Sequence, residues 1–269
     1  MAGLAFRVRA LHPGVRRMCA NYLVDDAVPD LCVDISPADI EAERARATEG
    51  SDWSDAYLET LAVYRRIAER VPQRRRLLVH GAVIEYEGRA FMFCAASGTG
   101  KSTHIKLWYK YLGADVQVIN GDKPLVWVPD AGEGAASSTA ALAADPANVE
   151  AFAPTTPIAY GTPWCGKEGW NRNASAPLAG ICFLERAAAG ESHAEPLAPA
   201  AAIDAAMRQV YMPEDPTAAA ATLELLDGLL TRVPLFRLAV DMSEDAVCAS
   251  FEALTGRPYA PAAAAPTLG

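Results

Sequence analysis

The stretch Ala95-Ala-Ser-Gly-Thr-Gly-Lys-Ser-Thr103 decides how this chain is read. Before it, Phe91-Met-Phe-Cys94 is a short apolar run that predicts a buried strand. After it, His104-Ile-Lys-Leu-Trp-Tyr-Lys-Tyr-Leu112 has helical spacing, and Gly113 stops it. A loop between strand and helix points successive backbone N–H groups at one spot, and the helix N-terminus adds a partial positive charge there. Gly98 and Gly100 let the backbone approach an anion with no Cβ in the way. The pattern is that of a Walker A phosphate loop. Ser97, Gly98, Thr99, Gly100, Lys101, Ser102 and Thr103 are expected to hold a nucleoside triphosphate. Lys101 would reach the β- and γ-phosphates, and the Ser102 hydroxyl would ligate Mg²⁺. ATP and Mg²⁺ are therefore the expected ligands. The strict pattern begins with glycine where this chain has Ala95, a departure that bears on the curvature of the loop and not on the phosphate site.

Bulk properties narrow the class. With 269 residues, 51% of them hydrophobic and 21% charged, the chain reads as an α/β domain with or without a small N-terminal one. No apolar run approaches the ~20 residues needed to cross a bilayer, and the first residues lack the apolar core of a signal peptide. A net charge of −9 argues against nucleic acid as a main partner. The six cysteines are scattered without CxxC pairs or nearby histidines, and Cys94 and Cys182 fall in strand-like runs, so buried thiols are expected. A reduced, cytoplasmic protein is the expectation. The basic cluster Arg74-Arg75-Arg76 reads as a solvated connector or as a contact for an anionic ligand.

Along the chain, residues 1–75 read as a small α/β region. Ala5-Phe-Arg-Val-Arg9 and Asp30-Leu-Cys-Val-Asp-Ile35 alternate like strands. Ser36-Pro-Ala-Asp39 opens a helix, with Ser36 as N-cap and Pro37 at the first helical position. A second helix over 53–70 places Tyr57, Leu58, Leu61, Tyr64 and Ile67 on one face, suited to docking on the next domain. The domain carrying the phosphate loop is expected over 76–258, followed by a disordered tail at 259–269. Its first strands are 77–86 and 89–94, a hairpin turning at Glu87-Gly88 and feeding the loop. Strands follow at 116–122, 124–129 and 179–186, with another running from Pro157 into a loop. Residues 131–146, rich in Ala, Gly and Ser, read as a mobile insertion. Helices at 198–212, 216–231 and 243–255 and a strand at 235–240 complete the pattern.

A phosphate loop needs an acidic partner at the end of a neighbouring strand. Asp122, closing Val116-Gln-Val-Ile-Asn-Gly-Asp122, holds that position and is read as a metal ligand, as the acceptor of a proton from an attacking hydroxyl, or as a plain turn aspartate. Lys123 either holds a phosphate or faces solvent. His80 reads as a core histidine on an apolar strand or as a donor to the transferred phosphoryl group. The segment Gly161-Thr-Pro-Trp-Cys-Gly-Lys-Glu-Gly-Trp-Asn-Arg-Asn173 combines glycine, aromatic and basic residues; it reads either as a substrate loop, with Lys167 or Arg172 to balance phosphate charge, or as an ordinary surface loop anchored by two tryptophans.

Ser97-Gly-Thr-Gly-Lys-Ser-Thr103 resembles the loop of ATP-dependent phosphoenolpyruvate carboxykinases. The longer frame, from Val79-His-Gly-Ala-Val83 through the hairpin to Ser102, looks like the catalytic domain of HPr kinase/phosphorylase. The runs at 95–108, 120–124, 161–164 and 176–186 are similar to a bacterial branch of HPr kinase-like proteins, so the resemblance covers roughly 77–190. It implies a phosphoenolpyruvate carboxykinase/HPr kinase-like nucleotide-binding fold with a mixed, twisted sheet. It also implies phosphoryl transfer from ATP to a hydroxyl, of a protein or peptide serine or of a small metabolite, with His80 in the active site beside Asp122 and Lys101. Such kinases carry consecutive acidic residues after the second strand, where this chain has Gly121-Asp122. Either Asp122 serves both metal and proton, or the chain is an ATP-binding regulatory module without transfer. Decarboxylation is not expected, since no residue set for a second Mn²⁺ site is recognisable. The resemblance leaves a homo-oligomer open.

Overall fold

The computed structural model describes residues 1–47, 52–130 and 155–260. The chain opens with β1 (Phe6–Arg9), α1 (Gly14–Met18), β2 (Leu31–Asp34), α2 (Pro37–Arg46) and α3 (Asp55–Ala68). β1 and β2 pair in parallel. Helix α2 begins where its cap signals place it: the Asp39 carboxylate accepts from the Ser36 backbone N–H at 2.9 Å and from the Ser36 hydroxyl at 2.6 Å, and Pro37 follows at the first helical position. At the start of α3 the Ser54 hydroxyl accepts from the Tyr57 N–H, and Leu58, Val63 and Ile67 form the helix's buried face.

The remainder runs through β3 (Arg76–Leu78), β4 (Gly81–Tyr86), β5 (Arg89–Cys94), α4 (Lys101–Leu112), β6 (Val116–Asn120), β7 (Leu125–Trp127), β8 (Ile158–Tyr160), β9 (Ser175–Arg186), β10 (His193–Pro196), α5 (Pro199–Met207), α6 (Pro216–Arg232), β11 (Leu235–Val240) and α7 (Glu244–Thr255). Strands β3 to β11 form one nine-stranded sheet, so the protein is mixed α/β. β5, β9 and β11 run parallel to one another, and β4 lies antiparallel between β5 and β6. The β4–β5 hairpin turns at Glu87 and Gly88, both with positive φ, as a tight two-residue turn requires.

The sheet is covered on both faces, and β5 shows why its sequence is apolar throughout. Phe91 and Phe93 pack with Ile105, Trp108, Val247 and Phe251 under α4 and α7. Met92 and Cys94, pointing the other way, pack with Ala202, Leu226 and Leu229 under α5 and α6. Fully buried, Trp108 alone removes enough apolar surface to stabilise the fold by about 3 kcal/mol. A third cluster joins Leu58, Val63 and Ile67 of α3 to Leu78, Leu125, Ile158 and Tyr160 of the sheet. Among the described residues no helix is long and apolar enough to cross a membrane. All six cysteines are free, and burial pushes the Cys94 thiol up to about 12.

The structure corrects several element boundaries. The single strand expected over 77–86 is two: β3 pairs with β7 and β4 with β5. Apolar residues on both sides conceal this change of partner, and the break falls at Val79-His80, where the His80 N–H donates to the Gln209 carbonyl at 2.6 Å. β9 begins at Ser175, ahead of the expected start, because its first residues pair with β8. β10 carries no apolar alternation and was not expected. The insertion expected at 131–146 and residues 261–269 of the expected tail lie outside the described residues.

Inside the α4–α7 layer, His104 is 2% exposed. Its Nε2 lies 3.1 Å from Ser250 Oγ and 3.2 Å from Trp108 Nε1, and its Nδ1 has no partner among the described residues. Burial pulls its pKa from the ordinary 6.5 down to about 3. Between those values the unfolded chain binds a proton that the folded ring excludes. Stability therefore falls as pH drops through this window, by up to about 1.4 kcal/mol per pH unit from this group. Trp108 keeps its 2.8 Å hydrogen bond to Ser250 Oγ without the imidazole. The His104→Leu variant is thus expected to fold and to show a shallower loss of stability between pH 6.5 and 4.5 in urea titrations; a slope equal to wild type would refute the buried neutral state.

Candidate functional site

The parallel strands of the sheet end on one edge, and β4, running the other way, begins there. Gly81 pairs with Cys94, Val83 with Asn120, and Cys94 with Phe183. This edge therefore collects the 95–100 loop after β5, the 121–123 turn after β6, the residue before β4, and the end of β9. Ligands of α/β sheets bind at such edges, where strands stop and loops diverge.

Loop 95–100 passes from β5 directly into α4. Gly98 and Gly100 have φ of 78° and 128°, conformations that side chains rarely adopt. A Cβ built on either meets nothing within 4 Å, so these glycines serve backbone shape and leave open space above it. Ser97 and Gly98 are exposed, Thr99, Gly100 and Ser102 half-buried, and Thr103 exposed on the first turn of the helix. Lys101 turns inward and is 8% exposed. Its ammonium donates to the Ala95 carbonyl at 2.7 Å and lies 3.1 Å from His80 Nε2.

His80 Nε2 in turn lies 3.2 Å from Asp122 Oδ1, and Lys123 Nζ lies 3.7 Å from Asp122 Oδ2. The structure thus brings together Lys101, His80, Asp122 and Lys123 from three separate parts of the sheet edge. Burial lowers the pKa of both lysines, with Asp122 acting against it. For Asp122, burial by itself raises the carboxyl, but the His80 hydrogen bond and the charges of Lys123, His80 and Lys101 outweigh it, and the net direction is down. The carboxylate is charged and both its oxygens face cationic or donating partners.

Residues that were not singled out as site candidates in the sequence hold this cluster in place. Asn120 is fully buried, and its Oδ1 accepts from the backbone N–H groups of Asp122 at 2.9 Å and Lys123 at 2.7 Å. Its amide donates to the Thr162 carbonyl at 3.0 Å, and the Thr162 hydroxyl donates to the Lys123 carbonyl at 2.7 Å. One side chain thereby binds the 121–123 turn to the 161–173 segment. A polar residue ending an apolar strand was the only available hint of this Asx-type turn. Gln209, at the end of α5, turns its amide nitrogen toward the carbonyls of His80 and Ala95 at 3.2 and 3.1 Å and toward His80 Nδ1 at 3.1 Å. That contact holds the ring with its Nε2 3.2 Å from Asp122 Oδ1 and 3.1 Å from the Lys101 ammonium. Arg186, at the end of β9, donates to the Gly98 carbonyl at 2.6 Å. Neither residue could be tied to the loop from its place in the sequence.

The 161–173 segment reaches the site in part. Gly166, with φ of 73°, lies against Asp122, and the Gly121 N–H donates to the Trp170 carbonyl at 2.9 Å. Lys167, next to Gly166, is exposed. Arg172 is not brought to the cluster: its guanidinium lies 3.1 Å from Gln117 Oε1 and 3.9 Å from Glu85. Those residues sit at the opposite ends of β6 and β4, and Glu85 is four residues from Gly81, roughly 13 Å along an extended strand. Gly121 also has a structural cause. A Cβ there would lie 3.0 Å from the Cys165 carbonyl oxygen and 3.5 Å from Trp170 Cβ, so the 165–170 turn fills the space where a second acidic side chain would stand.

Among the described residues no group of three or more His, Cys, Asp or Glu side chains is gathered to hold a metal ion without other ligands. No protein-family model matches the chain, and no curated protein matches it. The packing of the glycines gives a direct test of the geometry. A Cβ at Gly161 would fall 1.9 Å from the Arg172 carbonyl oxygen, whereas that at Gly121 would be tight but displaceable. Gly121→Ala is expected to cost about 1–3 kcal/mol in urea unfolding, and Gly161→Ala more than Gly121→Ala. Equal stability of both variants and wild type would show that the segment does not lie where described.

Proposed function

We propose that the chain is an ATP-dependent phosphotransferase with a phosphoenolpyruvate carboxykinase/HPr kinase-like nucleotide site, moving the γ-phosphate to a hydroxyl of a protein, a peptide or a small metabolite. The observation that carries this proposal is the convergence of Lys101, His80 and Asp122 beside an open glycine loop at a helix N-terminus. The support is both steric and electrostatic. Open space above Gly98 and Gly100 suits the close approach of phosphate oxygens, and in a chain of net charge −9 this edge sets two ammonium groups around one carboxylate.

The residues present fit a triphosphate with Mg²⁺. Loop amides and Lys101 would hold the β- and γ-phosphates, while Ser102, half-buried at the start of α4, and Asp122 would hold the ion. Mg²⁺ supplies neutralisation of the charge that builds on the phosphate oxygens. In the transfer, the bond from the γ-phosphorus to the bridging oxygen breaks, a bond to the acceptor oxygen forms, and the acceptor proton passes to Asp122. A loose transition state asks for little proton removal before the leaving bond breaks, so a carboxylate held below its usual pKa can still orient the hydroxyl. His80, with its Nε2 toward Asp122 and its ring held by Gln209, positions that carboxylate. Lys101 stabilises the charge moving onto the leaving phosphate.

Incubation with γ-labelled ATP, Mg²⁺ and a fractionated bacterial extract tests the proposal, and a labelled acceptor formed by wild type is the expected result. Asp122→Asn should retain ATP binding and lose about 100-fold or more in transfer. Lys101→Ala should weaken ATP binding by at least about 10-fold, and unchanged affinity would remove the triphosphate reading. ATP binding with no labelled acceptor would instead favour the regulatory module, for which the full pairing of the Asp122 oxygens speaks. Because the Asp122 pKa is lowered, the acid limb of the transfer profile is expected below the ordinary carboxylate range; an acid limb at or above that range would assign the titration to another group.

A further inference from the structure

Helix α3 turns two residues toward the sheet edge. The Thr60 carbonyl accepts from Trp164 Nε1 at 3.0 Å, and Tyr64, one turn further on the same face, places its ring 5.5 Å from that of Trp164. Beyond Trp164 lies the Asp122 turn: the Trp164 carbonyl accepts from the Asn120 amide at 3.3 Å, and a Cβ at Gly166 would lie 3.2 Å from Asp122 Cβ. On its other side the Tyr64 ring meets that of Tyr211 edge-on, at 6.4 Å and 82°. The Tyr211 N–H donates to the Leu78 carbonyl at 2.9 Å, and Gln209, just before it, accepts from the His80 N–H at 2.6 Å. Tyr64 is thus held between the segment that packs on Asp122 and the one that holds His80.

The two phenols differ in their engagement. The Tyr211 hydroxyl donates to Glu69 Oε1 at 2.6 Å. The half-buried Tyr64 forms no hydrogen bond through its hydroxyl among the described residues, and that oxygen is not closed off from water. A tyrosine packed between two aromatic rings usually finds a partner for its hydroxyl. Phenylalanine would pack between Trp164 and Tyr211 equally well, so packing does not account for the oxygen. Burial raises the Tyr64 pKa, and the Asp122 carboxylate, the strongest of the charges acting on it, raises it further. The phenol therefore keeps its proton across the neutral range, within the field of the carboxylate to which the acceptor proton passes.

An attacking hydroxyl has one proton and two lone pairs. Its proton points to Asp122 and one lone pair attacks the γ-phosphorus, which leaves the second lone pair to accept a hydrogen bond. We propose that Tyr64 donates to that second lone pair, so that the acceptor site lies between α3 and the 121–123 turn and takes hydroxyls in preference to amines. A neutral amine has a single lone pair. Once that pair is used in attack, the phenol stays unpaired beside it, and leaving a polar group of a site unpaired is what rejects a near-isostere. In the transfer the acceptor O–H bond breaks and its proton passes to Asp122. The new O–P bond forms as the bond from phosphorus to the bridging oxygen breaks, and Tyr64 keeps its own proton throughout. This role rests on the phosphotransferase reading of the site, and it draws the acceptor contact from outside the nine-stranded sheet.

Tyr64→Phe keeps the ring and removes only the hydroxyl. With the full chain, γ-labelled ATP, Mg²⁺ and the extract fraction that wild type labels, it should lower the rate of labelling about 10-fold. Calorimetric ATP affinity should stay within about twofold and the thermal midpoint within about 2 °C. Hydrolysis of ATP, in which water is the acceptor, should fall by a similar factor, because water offers the same two lone pairs. The label formed by wild type should survive acid, as an O-phosphate does and an N-phosphate does not. Labelling and hydrolysis by Tyr64→Phe at wild-type rates overturn the role. So does a parallel loss of ATP affinity, which would put the phenol on the nucleotide, and so does an acid-labile label. Failure of the phosphotransferase reading has a different signature: wild type would bind ATP and neither label an acceptor nor hydrolyse the nucleotide, and the role of Tyr64 would fall with it.

Discussion

The buried ammonium of Lys101 is the constraint around which the rest of the sheet edge is arranged. Removing such a charge from water costs several kcal/mol unless hydrogen bonds and opposite charge replace the lost hydration. The Ala95 carbonyl supplies the hydrogen bond and Asp122 the nearby negative charge. Satisfying Lys101 thus requires the ends of β5 and β6 to meet, with His80 between them. That requirement explains why the strand expected to run through His80 is broken there: a residue in the ladder could not both leave for Gln209 and turn its ring toward Lys101 and Asp122.

The same edge is rigid for a second reason, which is the burial of Asn120. A fully buried amide must be satisfied on both its oxygen and its nitrogen, and here the two halves bind different segments. The 121–123 turn and the 161–173 segment are therefore fixed relative to each other, not only placed nearby. Gly121 and Gly161 permit the close backbone approach that this binding demands. The absence of a second acidic side chain beside Asp122 follows from that packing, since the turn at 165–170 occupies its place.

Coverage of the sheet on both faces decides where function can lie. With helices α4 and α7 on one side and α5 and α6 on the other, polar chemistry is confined to the strand ends. The N-terminal layer takes part as well. Trp164 of the site segment donates to the Thr60 carbonyl of α3 at 3.0 Å, and its ring lies 5.5 Å from that of Tyr64. Helix α3 braces the 161–173 segment through Trp164, whose carbonyl also accepts from the Asn120 amide at 3.3 Å, which links the N-terminal region to the geometry at Asp122.

Much of the local structure was legible in the sequence because its causes are local. Apolar runs, the Ser36-Pro37 cap, the turn at Glu87-Gly88 and the passage from Cys94 through the glycine loop into α4 all depend on residues adjacent in the chain. What the loop requires of its own residues, glycine at the positions with positive φ and a lysine at the helix start, was readable for the same reason. The partners of that lysine were not, nor was the change of strand at His80, because both depend on which strand lies beside which. Gln209 and Arg186 reach the site across long sequence separations, and Asn120 ties its own turn to Thr162, 42 residues away, through contacts that leave no periodic trace. Arg172 shows the converse: it belongs to the right segment, but the antiparallel course of β4 and β6 carries its guanidinium toward Glu85 and Gln117, at the far end of the sheet. By itself, the sequence determined most of the elements and the loop. Only the tertiary structure decided which side chains meet, because strand order and register place residues that are distant in the chain on one edge or on opposite edges.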